Sequence, residues 1–130
     1  MIETRTTQQP NAKVEMFARF WADPHPEMLR GGVTDDVAVY YPGATEPQRG
    51  PDAYIASVQR YLDLVPDLRL EVLDFAYNGD DTFVRWLARG TGVNGRFELS
   101  GIDRVRTRDG LTSENYVVYD SATLARAAGL

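Results

Sequence analysis

The 130-residue chain contains no cysteine. That excludes disulfides, thiol nucleophiles and thiolate metal sites. It has one histidine, His25, set in the turn Asp23-Pro24-His25-Pro26, where the flanking prolines mark a solvent-facing loop. A Ser-His-Asp triad and a histidine-built zinc site are therefore not expected. Lysine is as scarce: Lys13 is the only one, on the polar side of a helical stretch and a poor Schiff-base former. No run approaches the roughly 18 apolar residues of a membrane span. The opening MIETRTTQQPNAK has no apolar core of a signal peptide, so a cytoplasmic protein without membrane contact is expected. Positive charge is short as well. Fourteen Lys and Arg against 19 Asp and Glu leave a net charge of -5, which argues against a nucleic-acid partner, since that needs a basic face.

What is present is ordinary for a globular chain: 43% hydrophobic and 25% charged residues, in a length that suits one domain with a real core. Acid-base chemistry must then come from carboxylates, tyrosines or arginine.

Residues 1–10 are polar and read as a flexible N-terminal tail. Residues 11–22 place Val14, Phe17, Phe20 and Trp21 at helical spacing behind an Asn11 cap. Residues 26–31 form a short helix between Pro26 and Gly31. Thr34-Asp35-Asp36 reads as a turn into a strand over 37–41. A second long helix spans 51–65, with an apolar stripe of Tyr54, Ile55, Val58, Tyr61, Leu62 and Val65. Strands follow over 68–77, 82–91, 96–107 and 111–119, joined by turns at Asn78-Gly79-Asp80-Asp81, Val93-Asn94-Gly95 and Arg108-Asp109-Gly110. Residues 121–130 are left as a C-terminal tail. The expected class is α+β: N-terminal helices wrapped on one face of a curved antiparallel sheet, a cone around an apolar pocket, as one domain over 11–120.

Strand parity gives the sharpest reading. In residues 96–107 the odd positions, Phe97, Leu99, Gly101, Asp103, Val105 and Thr107, form the apolar face with Asp103 at its middle. A carboxylate there is costly unless paired, hydrogen-bonded or protonated. Two readings stand: a functional acid, or a structural carboxylate bonded to a tyrosine or a backbone amide. Trp86 is expected inward and Arg85 outward, with Glu114 facing Arg85 across the sheet. Asn115 shares a face with Ser113, Val117 and Tyr119 and becomes a polar group of the pocket. Asp74 shares parity with Leu70 and Val72, a distant second acid. Tyr41 should face the pocket and Tyr40 the other side.

The order of elements, with the phrases TDDVAVYYPGATEPQRGPDAY and GIDRVRTRDGLTSENYVVYD, resembles the nuclear transport factor 2-like superfamily. Within it the chain is most similar to the SnoaL-like polyketide cyclases and the ketosteroid isomerases, over roughly residues 12–120. The resemblance implies a cone-shaped fold, no cofactor and no metal, a small-molecule substrate and a homodimer. The isomerases keep an Asp base where this chain has Tyr41, and a tyrosine where it has Phe20. Their second, protonated Asp on the long strand matches Asp103. The Gly-Thr-His common in SnoaL-like sequences is Gly90-Thr91-Gly92 here. The Asp-Arg-Asp set of related epoxide hydrolases cannot be assembled, because Arg85 and Arg89 face away from Trp86.

By this resemblance the expected activity is cofactor-independent proton transfer on a small, largely apolar carbonyl compound, giving cyclisation or isomerisation. Asp103 would be the acid-base group and Tyr41 the donor to an oxyanion. Phe17, Phe20, Tyr54, Val58, Tyr61, Trp86 and Asn115 would shape the substrate pocket. The alternative is a non-catalytic small-molecule binder of the same fold. The outer sheet face, with Arg85, Arg89, Arg104, Arg106, Glu98 and Glu114, would serve a dimer.

Overall fold

The computed structural model describes residues 8–130. Helix α1 (Ala12–Ala22) starts at Asn11, whose Oδ1 accepts from the Val14 amide at 2.9 Å while its Nδ2 donates to Thr82 at 3.0 Å. The cap thus ends one helix and ties it to the sheet. A 3-10 segment (Pro26–Gly32) leads into β1 (Val33–Tyr40) and the two-residue β2 (Gln48–Arg49). Helix α2 (Pro51–Leu64) begins with proline at its first position, where no amide hydrogen is needed. Strands β3 (Arg69–Asn78), β4 (Asp81–Gly92), β5 (Gly95–Arg108) and β6 (Leu111–Tyr119) follow, and α3 (Ser121–Ala127) comes last. The β5–β6 turn is a two-residue one with positive φ at both Asp109 (54°) and Gly110 (80°), the geometry that matches strand twist.

The helices lie against an open six-stranded sheet of order β2-β1-β6-β5-β4-β3. This is the expected α+β class, with one correction. The sheet is mixed, because β1 pairs parallel with β6. Hairpin turns report only pairs of consecutive strands, and this pair joins strands far apart in the chain. β1 also begins at Val33, so Thr34-Asp35-Asp36 is strand and not turn. Asp35 and Asp36 are exposed there, and the register with β6 shifts between Val33 and Ala38.

Both chain ends differ from the expected tails. Residues 1–7 lie outside the described residues. Gln8 exchanges two side-chain bonds with the Tyr77 backbone, each of 3.0 Å, and the Tyr77 hydroxyl donates to the Gln9 carbonyl. The Gln8 amide mimics a strand partner for edge strand β3. At the other end α3 is capped by Asp120, which accepts from the amides of Ala122 and Thr123. The Val93 amide donates to the Ala127 carbonyl at 2.9 Å, holding α3 on the β4–β5 hairpin.

Two apolar clusters form the core. One is built on Val65, Leu68, Trp86 and Ala88, the other on Val33, Val37 and Val39. Along β5 the predicted alternation holds: Asp103 and Val105 are buried while Ile102 and Arg106 are exposed. Along β3 it breaks. The register with β4 shifts between Val72 and Asp74, so Leu73 is an extra residue. One inserted residue moves everything after it to the opposite face. Asp74 therefore stands across from outward Arg85 and not in line with Leu70. Glu114 pairs with Arg104 rather than Arg85, because Arg104 lies on β5, the strand next to β6, whereas Arg85 lies on β4, one strand further away.

Candidate functional site

The inner face of the sheet, α1 and α2 enclose a narrow cavity of about 60 Å³. Of the residues expected there, Tyr41, Tyr54, Val58, Tyr61, Trp86, Asp103 and Asn115 line it. Phe17 and Phe20 do not. They line a second cavity, of about 410 Å³, between α1, the 3-10 segment and the sheet. From α1 it is Trp21 that reaches the first cavity, and it lines the second as well. Trp21, Tyr54 and Asn115 are common to both, so they form the wall between them.

Asp103 is 6% exposed and sits at the centre of the polar wall. Its Oδ1 accepts from Trp86 Nε1 and its Oδ2 from Asn115 Nδ2, each at 2.9 Å. Trp86 can lie in that position because its β5 partner is Gly101, where any Cβ would strike the indole ring. None of the described residues lining the cavity is lysine or arginine. Burial therefore raises the Asp103 carboxyl to a pKa of about 6, against the opposing pull of the Asn115 and Trp86 hydrogen bonds. A carboxyl at that value gives and takes protons near neutrality.

The tyrosines divide by where their protons go. The Ser57 hydroxyl donates to the Tyr54 carbonyl at 2.7 Å. A hydroxyl has one proton, so Tyr41 must be the donor in its 2.6 Å bond to Ser57. The Tyr41 proton is thus engaged with Ser57. Tyr54 differs. Its oxygen accepts from Asn115 Nδ2 at 3.3 Å, and its own proton meets no acceptor among the described residues. Burial, then the charge on Asp103, pushes the Tyr54 phenol up to about 12, so it stays a proton donor. Tyr61 and Tyr119 share a 2.5 Å bond that uses one of their two protons. Burial raises both phenols above the usual tyrosine range, as it does Tyr41.

Sequence reasoning did not single out Ser57, Trp21, Tyr119 or Leu124 as site residues. Tyr119 was legible, being two steps of parity from Asn115. Leu124 was not, because α3 was read as tail. Among the described residues no three His, Asp or Glu side chains converge as a metal site, and no helix is long and apolar enough to cross a membrane.

Residues 14–115 match the family model described as a SnoaL-like domain. No curated protein matches the chain. Among solved structures, a candidate SnoaL-like polyketide cyclase from Jannaschia sp. CCS1 is similar with a TM-score of 0.80 at 16% identity, over 93% of this chain and 96% of that one. IdmH from Streptomyces antibioticus, a candidate polyketide cyclase, is similar with a TM-score of 0.77 at 24% identity, over 95% and 100%. A hypothetical protein with a ketosteroid isomerase-like fold from Catenulispora acidiphila DSM 44928, in complex with trimethylamine, gives 0.82 at 15% identity, over 94% and 95%. These likenesses establish a shared fold.

Proposed function

This chain belongs to the SnoaL-like family, and from that premise we propose that it is a cofactor-independent acid-base enzyme acting on a small, largely apolar carbonyl compound. The observation that carries this reading is Asp103: a buried carboxyl, free of any cation, held by two neutral donors in the wall of an apolar cavity. Near neutral pH it is ionised in a large fraction of molecules and serves as the base. It takes a proton from the carbon beside the substrate carbonyl. The Tyr54 hydroxyl donates to the enolate oxygen that forms. Asp103 and Tyr54 both lie against the Asn115 amide nitrogen, so base and donor act on one small region. The protonated Asp103 then returns its proton. Delivery to a different carbon is isomerisation. Attack of the enolate carbon on a second carbonyl, with the proton going to the new alkoxide, is cyclisation.

The oxyanion role expected of Tyr41 passes in this reading to Tyr54, since the Tyr41 proton is engaged with Ser57. Tyr41 and Tyr61 are assigned to the cavity wall. A second reading, a non-catalytic binder, draws on the fact that both Asp103 oxygens already accept a hydrogen bond.

Phenylacetone in deuterium oxide separates the two. The wild type is expected to speed exchange of its α-protons by roughly a hundredfold or more over buffer, the usual yield of a positioned base. Asp103→Asn is expected to lose that acceleration while still binding the ketone. Exchange at the buffer rate, or unchanged exchange in Asp103→Asn, defeats the enzymatic reading.

The proposed macromolecular partner is a second copy of the chain. Phe83, Ile102, Tyr116 and Val118 are exposed by 43%, 43%, 44% and 60%. They fall on the outer faces of β4, β5 and β6 in adjoining register. Such a contiguous apolar patch favours association.

A further inference from the structure

The second cavity holds the chain's only lysine in an unusual state. Lys13 lines it, and its Nζ is shielded from solvent and meets no hydrogen-bond partner among the described residues. A lysine stem is long enough to carry its ammonium out to water, yet this one stays inside. Burial pulls the group below its usual range. The other titratable groups on the cavity are Arg19, Asp23, His25 and Tyr54, the last a neutral phenol. Arg19 and Asp23 are exposed and opposite in sign one helical turn apart, and Asp23 also meets His25 at 3.3 Å. They offset one another, which leaves Lys13 as the one uncompensated positive centre among the described residues of the cavity. The rest of the lining is largely apolar, with Met16, Phe17, Phe20, Met28 and Leu29 prominent.

The wall between the cavities carries another unused polar atom, the buried Asn115 Oδ1. It is an acceptor, and it stands beside the carboxyl of Asp103. The ionised Asp103 carboxylate repels an anion and lines the first cavity but not the second, so an acidic ligand is disfavoured in the first.

We propose that the second cavity is a binding subsite for the carboxylate of a largely apolar organic acid, with Lys13 as its counter-ion. One ammonium matches a single negative charge, and the aromatic and thioether walls match an apolar body. The subsite is independent of proton transfer at Asp103, so either assignment can fail without the other.

Calorimetric titration with phenylbutanoate and with phenylbutanamide tests it. These probes share a body and differ in charge. The wild type is expected to prefer the carboxylate by about tenfold or more, the range for a charge-assisted bond in a shielded site. Lys13→Met and Lys13→Gln are expected to lose that preference and Lys13→Arg to keep most of it. Thermal melts establish which variants are folded, and the wild-type preference for the carboxylate over the amide is itself a readout of the charge. Asp103→Asn is expected to leave the preference intact. Equal affinity for the two probes overturns the proposal, as does a preference that survives removal of the Lys13 charge. No measurable binding of phenylbutanoate overturns it too. Loss of the preference in Asp103→Asn shows that the discrimination by charge depends on Asp103 and not on Lys13, and has the same effect.

Discussion

A carboxyl held only by an indole and an amide makes stability run against the usual direction in mild acid. Asp103 keeps its proton up to about pH 6 in the folded chain, whereas an unfolded Asp loses it near pH ~4. Between those values the folded state binds more protons than the unfolded one. Stability therefore falls as pH rises through that window and levels off above it, by about 2–3 kcal/mol. Paired surface carboxylates such as Asp36 and Asp81, which arginines hold below their usual range, work in the opposite sense. They are common to wild type and Asp103→Asn, so the difference between the two isolates Asp103. Denaturant midpoints at pH ~4 and pH ~7 are expected to show the wild type losing ground to Asp103→Asn at the higher pH. Parallel pH profiles would mean that Asp103 titrates alike in both states. At this scale the site was largely legible: one acid on an apolar strand face is visible in residues 96–107 by counting. The routing of each tyrosine proton was not, because it depends on Ser57 and Asn115 meeting from different elements.

Among elements, α3 is the one whose absence from the sequence reading matters most. Its seven residues bring one side chain, Leu124, to the first cavity. A helix that short shows no period, although Asp120 with Thr123 three residues on is a readable cap. Its attachment depends on Gly92, where a Cβ would collide with the Ala127 carbonyl. Gly92→Ala is expected to lift the end of α3 away. The cost is about 1–3 kcal/mol if the strand is forced to move, and less if only the helix lets go. Hydrogen exchange is expected to speed up at the α3 amides while β4 and β5 stay protected. Unchanged protection of α3 would show that Leu124, and not the Gly92 contact, anchors it. The same scale explains Asp74 and the phenylalanines. Alternation carries no mark of the extra residue at Leu73. A helical stripe gives the buried side of α1, but not which of two cavities Phe17, Phe20 and Trp21 each reach.

For the whole molecule, the proposed dimer rests on the outer sheet face. Tyr40 stacks on Tyr116 at 4.2 Å, and the Arg104 guanidinium lies 5.0 Å from the Tyr116 ring centre. The patch around them is thus apolar with the Arg104–Glu114 ion pair set into it. Val118→Glu is expected to shift sedimentation from dimer to monomer at micromolar concentration, without changing the melt of the monomer by more than about 0.5 kcal/mol. A wild type that sediments as a monomer at every concentration removes the dimer from the proposal. The helices and consecutive hairpins of this architecture could be read from local signals. The partner of β1 could not, because pairing between distant strands leaves no local trace.

That parallel pair also bears on how the protein comes to be made. The first long strand to leave a ribosome finds its inner neighbour only in the last one, so Val37 and Val39 wait for residues 114–116. Until then α2 and β3–β5 can assemble their own hairpins, but the sheet remains divided at its middle. Completion is a late, long-range closure, slow by topology. During that interval an open apolar edge is exposed to chaperones and to other nascent copies.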